Sequence, residues 1–262
     1  MTFGFVGTGN ITEAIVTGIL AGEAQAPDIV VSPRSAATAA RLAALSPRVL
    51  VADDNQHVVD AADMVFLAIR PDVAEAVVRA LRFRPGQRVV SLVATVDHAA
   101  LRSWIDVPVE VVRAIPLPFV ATRSGVTAIF PPDPAVEALF SDLGTAVACE
   151  TIEEYDLLAT ASALMGSYFG IMDHAVGWLT ARGMPETSAR AYLASLFSSL
   201  STVAKRDASR PLEDLRHEYS TKGGLNEQIF AQFREGGGLD ALTRGLDSVL
   251  DRIRTNAARA KE

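Results

Sequence analysis

At 262 residues the chain has room for one large α/β domain or two modest ones. Apolar residues make up 49% and charged residues 21%, which excludes a disordered segment. A formal net charge of -7, with no dense Lys/Arg run to offset it, argues against nucleic acid or an anionic membrane as partner.

The first 150 residues alternate short apolar runs with Ala-rich helical segments. FGFVG, IVVS, RVLVA, MVFLAI, RVVSLVA, VEVVRAI, GVTAIF and AVACE are the expected strands. Runs that stay apolar instead of alternating suit strands covered on both faces, so the expected class is α/β with a doubly wound, largely parallel sheet.

The first strand runs into Gly7-Thr8-Gly9, and a helix follows from Asn10. Gly7 permits a sharp turn, Gly9 lets the backbone approach a pyrophosphate, and the first amides of the helix, at Asn10 and Ile11, meet its charge. Thr12 stands where G-x-G-x-x-G has its third small residue, so the closest helix–strand contact is expected at Ala14. The second strand ends in Ser32-Pro33-Arg34-Ser35, with no carboxylate of the kind that accepts from the ribose 2′-hydroxyl of NAD. Ser32, Arg34 and Ser35 instead suit a 2′-phosphate, which favours NADP. The fourth strand ends in Ala68-Ile69-Arg70-Pro71, placing Ala68, Arg70 and Pro71 at the carboxyl edge where such sheets bind ligand. In the fifth, Ser91 and Ala94 are small enough to admit a cofactor, and ordinary packing explains them equally well.

After Glu150 the strand-like runs stop, giving expected domains of 1–150 for dinucleotide binding and 151–262 for an all-helical part. Thr151 and Glu154 form a capping box opening a helix expected to run unbroken to about Arg182. Pro185 and Pro211 are expected as first helical residues, with further helices after Gly224 and Gly238. Helices this long lack partners in their own chain. Leu164, Phe169, Met172, Leu196 and Phe197 are therefore expected against a second subunit in a homodimer.

Other signals carry less. The four histidines never fall at i, i+4, so no metal is expected. Cys149, the single cysteine, reads as a core residue of a protein kept reduced. The N-terminus lacks a basic leader and no apolar run reaches about 18 residues, so a cytoplasmic protein is expected.

Gly7-Thr8-Gly9-Asn10, Ser32-Pro33-Arg34, Leu67-Ala68-Ile69-Arg70-Pro71, Arg113-Ala114-Ile115-Pro116, Gly125-Val126-Thr127-Ala128 and Gly223-Gly224 follow in the order and spacing of pyrroline-5-carboxylate reductases. The chain resembles that family over nearly its whole length. The resemblance implies a Rossmann-type domain, a helical domain through which subunits interlock, and reduction of a cyclic imine by NAD(P)H to proline. It also implies that Gly223, Gly224 and Asn226 bind the substrate.

Departures cluster on the substrate side. Ile115-Pro116-Leu117-Pro118-Phe119 replaces Met-Pro-Asn-Thr-Pro, and Ser162 to Tyr168 replaces Ser-Gly-Ser-Gly-Pro-Ala-Tyr. Thr221-Lys222-Gly223-Gly224-Leu225-Asn226 replaces Ser-Pro-Gly-Gly-Thr-Thr. Two hydroxyls are lost there and an ammonium is gained, which makes Lys222 and Asn226 the candidate catalytic residues, Lys222 as a proton donor. The leading expectation is hydride transfer from NADPH to a small cyclic imino acid, in a cleft between the domains. A reductase of another imine or carbonyl compound, and a protein that senses NADP without turnover, stay open.

Overall fold

A computed structural model describes residues 1–22 and 27–259. It divides into two compact units, one comprising Met1–Thr160 with Leu250–Glu262 and the other Ala161–Val249. The first unit reaches past residue 150 and takes in most of the helix that follows.

All eight expected strands form: β1 Thr2–Val6, β2 Asp28–Val31, β3 Val49–Val51, β4 Met64–Leu67, β5 Arg88–Ser91, β6 Glu110–Pro116, β7 Gly125–Phe130 and β8 Gly144–Ala148. They build one sheet in the order β3-β2-β1-β4-β5-β6-β7-β8. The connections between the first six are α1 Asn10–Leu20, α2 Ala36–Leu45, α3 Asn55–Ala61, α4 Pro71–Arg79 and α5 His98–Trp104. The strand order reverses between β1 and β4, and such a reversal opens a crevice outside the carboxyl ends of the two strands.

The sheet is not wholly parallel, because β7 runs antiparallel to β6. The connection between them holds only a 3-10 turn at Pro118–Thr122, too short for the dozen or more residues of a parallel crossover. After α6 Pro134–Asp142, β8 returns parallel to β7.

Both faces of the sheet are packed, which is why the strands read as continuous apolar runs. One face buries Phe3, Phe5, Ile15, Ile29 and Phe66, with Phe5 and Phe66 stacked at 4.6 Å between centroids. The other buries Val30, Val58, Val65, Leu67, Val89 and Leu101. Burying such side chains contributes about 1.5–3 kcal/mol each.

The capping box forms as expected. The amide of Glu154 donates 3.2 Å to the Thr151 hydroxyl, and the Glu154 carboxylate accepts from the amides of Glu150 and Thr151. The helix it opens is not continuous: α7 Ile152–Ser162 ends at Ala163, and α8 Leu164–Thr180 begins anew. Pro185 and Pro211 lie one position earlier than expected, as N-caps of α9 Glu186–Arg206 and α10 Leu212–Glu218. The extended ψ of a cap suits proline as well as the first helical position does, since neither donates an intrahelical bond. The last helices are α11 Leu225–Glu235 and α12 Gly238–Arg259.

Within the second unit α8 packs on α9. Its large apolar side chains stay largely outside any core, Phe169 59% exposed, Tyr192 69% and Leu225 82%, while Leu215 is buried. Among the described residues no helix is long and apolar enough to cross a membrane.

Candidate dinucleotide site and glycine loop

The turn after β1 is held by hydroxyls. Gly7 adopts φ 104°, and a Cβ there would meet the Ala68 carbonyl at the end of β4. Its amide donates 2.9 Å to Ser32 Oγ, and its carbonyl accepts from Thr12 Oγ1 at 2.7 Å. Thr8 Oγ1 donates 3.4 Å to the Ser32 carbonyl and accepts from the Ser35 amide at 3.3 Å. The ends of β1 and β2 are thereby stitched together at the carboxyl edge of the sheet, and the Ala68 amide ties in the end of β4 by donating 2.9 Å to the Val6 carbonyl.

Gly9 is the N-cap of α1, at φ -88°. Open space surrounds it, with no atom within 4 Å of an added Cβ. The first amides of α1 lack intrahelical partners, so the space beside Gly9, Asn10 and Ile11 is a seat into which a pyrophosphate fits. Asn10 is exposed and Ile11 half-buried.

One expectation about this region needs correction, that Ser32 faces the ligand. Thr12 is itself fully buried with its hydroxyl satisfied, and at Gly18 of the same helix a Cβ would strike the Val120 carbonyl of the 3-10 turn. Ser32 is fully buried and engaged by Gly7, so it braces the loop, while Arg34 and Ser35 are the exposed residues at the end of β2. Ser35 is the N-cap of α2, yet its hydroxyl makes no capping bond. Arg70 caps α4 ahead of Pro71 and pairs with Asp72 at 2.7 Å. That pair is exposed on both sides and holds Arg70 weakly.

The residues expected on the substrate side lie in the second unit. Gly223 has φ 71° and Gly224 is the N-cap of α11. The Gly223 amide, expected to be available to a substrate carboxylate, donates 2.5 Å to Glu227 Oε2. Asn226 Nδ2 donates 2.6 Å to the Tyr219 carbonyl, and Lys222 is exposed. Sequence reasoning missed Glu227, although a carboxylate at the third helical position after a capping residue is the signature of one that folds back on the amides before the helix. Cys149 is buried, and its burial pushes the thiol pKa up, which disfavours the nucleophilic thiolate. Among the described residues no group of three or more His, Cys, Asp or Glu is placed to hold a metal.

Residues 2–95 match the family model described as NADP oxidoreductase, coenzyme F420-dependent. A pyrroline-5-carboxylate reductase of Pseudomonas aeruginosa is 26% identical over 247 residues, covering 89% of this chain and 88% of its own length. Among solved structures, a pyrroline-5-carboxylate reductase from Coxiella burnetii superposes with a TM-score of 0.85 at 21% identity, over 98% of both chains. The Plasmodium falciparum pyrroline carboxylate reductase with NADP bound gives 0.81 at 12% identity, again over 98% of each. The chain is thus similar in sequence to pyrroline-5-carboxylate reductases and shares the fold of their solved structures.

Proposed function

We propose that the chain is an NADPH-dependent reductase of a C=N bond in a small cyclic imino acid, with pyrroline-5-carboxylate, the compound named for its relatives, as substrate and proline as product. The observation that carries the reading is the open seat at Gly9, set beside the exposed Arg34 and Ser35 and without an acidic residue at the end of β2. When bound there, NADPH supplies the hydride. The chain's own part is to seat the pyrophosphate on the first turn of α1, to hold the 2′-phosphate with Arg34 and Ser35, and to bind the carboxylate at the Gly223-Gly224 loop, where it displaces Glu227 and the Thr221 carbonyl from the two amides. The imine nitrogen also needs a proton, for which Lys222 is the nearest candidate in that loop. Consumption of NADPH with pyrroline-5-carboxylate, and appearance of proline in equal amount, tests the reading. NADPH binding without turnover on any imine would leave a sensor.

The bond between Gly223 and Glu227 favours a second reading, reduction of an imine without a carboxylate, because one anion-binding amide is already taken by an anion. Replacing Glu227 by alanine is expected to lower KM for pyrroline-5-carboxylate roughly tenfold, about 1.4 kcal/mol, with little change for an uncharged cyclic imine. Equal KM shifts for both compounds would show that Glu227 does not compete with substrate. In the same loop, Lys222→Ala is expected to lower kcat with NADPH affinity intact, and Asn226→Thr to shift preference toward the carboxylated imine. An unchanged kcat/KM in the Lys222 variant would remove Lys222 from the chemistry.

The protein works as a homodimer in the cytoplasm on this reading. Support comes from apolar side chains of α8, α9 and α11 that their own unit leaves uncovered. Light scattering is expected to return twice the 27.8 kDa chain mass at micromolar concentration, and Phe169→Glu to weaken that association. A single-chain mass for the unsubstituted protein would contradict it.

A further inference from the structure

Arg113, on β6 beside Ser91 of β5, is only 3% exposed, and its Nε has no hydrogen-bond partner. The guanidinium lies over the ring of Tyr155, its Cζ 4.5 Å from the centroid, and Nη2 donates 2.9 Å to the carbonyl of Ala94. Tyr155 is 1% exposed, and its hydroxyl likewise lacks a partner. Phe130 is tilted against that ring and meets His98 edge-on, both at 6.1 Å between centroids. Burial, Arg102 and Arg113 hold the His98 pKa below its ordinary value against the pull of Asp97, so the ring adds no competing charge near neutrality. A buried charge with one carbonyl and a ring face in direct contact, and only the partly buried Asp156 carboxylate nearby to offset it, is costly, and an apolar side chain of similar volume serves packing as well or better.

What Arg113 holds is the loop after β5. Ser91 Oγ accepts from the Val93 amide at 3.3 Å, and the Val96 amide donates 3.3 Å to the Val93 carbonyl, so the turn is pinned on one side. Arg113 pins Ala94, the exposed residue at its tip. The loop follows β5 at the carboxyl edge of the sheet, next to β4 and the glycine turn, along the crevice in which a dinucleotide lies.

We propose that Arg113 is a positioning residue for hydride transfer: wedged between the Ala94 carbonyl and the Tyr155 ring, it fixes the β5–α5 loop as the surface against which the nicotinamide end of the cofactor is set. The proposal rests on the dinucleotide reading above. On that reading affinity is carried by the pyrophosphate seat and by Arg34 and Ser35, so loss of Arg113 leaves overall affinity nearly intact while loosening the reacting end.

Arg113→Met, which keeps the volume, and Arg113→Lys, which keeps the charge, test it on the full-length protein. The expected result is an NADPH dissociation constant within about twofold of the parent, a retained melting temperature, a fall in the fluorescence anisotropy of bound NADPH, and kcat lower by at least tenfold. The deuterium isotope effect with NADPH labelled at nicotinamide C4 is expected to rise as the transfer step becomes slower. Unchanged anisotropy and emission of bound NADPH in both variants would overturn the proposal, as would a parallel fall in melting temperature and NADPH affinity, the mark of a purely structural role. If the parent protein binds NADPH but reduces no imine, the functional reading fails, and the fluorescence comparison still decides the place of Arg113.

Discussion

Replacing Arg34 by alanine is expected to weaken NADPH binding roughly 10- to 150-fold, the loss of about 1.5–3 kcal/mol in charge-assisted hydrogen bonds. NADH binding is expected to stay within about twofold, because the two cofactors differ only in the 2′-phosphate. Arg34 and Ser35 are exposed at the end of β2, while Ser32 is buried beneath them and bonded to Gly7. The exposure has a consequence of its own. In physiological salt the loss falls toward the lower end of the range, and it grows as the ionic strength is reduced. Titration of parent and variant with both cofactors at two salt concentrations checks it. A parent protein that binds NADH as tightly as NADPH would contradict the assignment of the loop.

The fold was legible wherever burial on both faces left a plain mark. Strands such as Met64–Leu67 have no polar residue to hide, so period and composition agree. What escaped was set by geometry that composition does not record. The antiparallel pairing of β7 follows from the length of the preceding connection, which apolar composition does not record. The break at Ala163 lies between Ser162 and Leu164 with no glycine or proline to announce it. Helix propensity alone carries a helix straight through such a stretch.

The site divides along similar lines. The turn at Gly7 and Gly9 was readable because a strand before it and a helix after it leave few alternatives for paired glycines. Ser32 was misread as facing the ligand, since a short hydroxyl at a strand end serves a backbone amide as readily as a phosphate. Glu227 went unnoticed because an acidic residue in the first turn of a helix already has an explanation in the helix dipole. Arg113 was seen only as part of a motif, because nothing local in VEVVRAI marks its arginine as buried. That required the register with β5 and the arrival of Tyr155 from α7.

The two glycines of the turn are expected to separate what the fold demands from what the ligand demands. Gly7→Ala puts a Cβ against the Ala68 carbonyl at a φ of 104°, and Gly7 and Ala68 are both pinned, the one by its amide's bond to Ser32 Oγ and the other by its amide's bond to the Val6 carbonyl. Strain on the order of 1–3 kcal/mol accompanies even an accommodated substitution. For a chain of this size that corresponds to a melting temperature lower by about 2–12 °C, and the seat for the pyrophosphate is distorted with it. Gly9→Ala is different. Its φ of -88° and ψ of -174° suit any L-residue, and nothing in the folded chain lies within 4 Å of the new methyl. The small loss from placing alanine at an N-cap is offset by the reduced freedom of the unfolded chain, so stability is expected to stay within about 1 kcal/mol. The methyl nevertheless points into the space where the backbone must approach the pyrophosphate. NADPH affinity is expected to fall at least tenfold, about 1.4 kcal/mol or more. Thermal melting of the two variants with and without NADPH checks both halves at once: Gly7→Ala melts early in either condition, whereas Gly9→Ala melts like the parent alone and loses the stabilisation that NADPH gives. A Gly9 variant that keeps that stabilisation would show that the open space at the head of α1 is not where the dinucleotide is held.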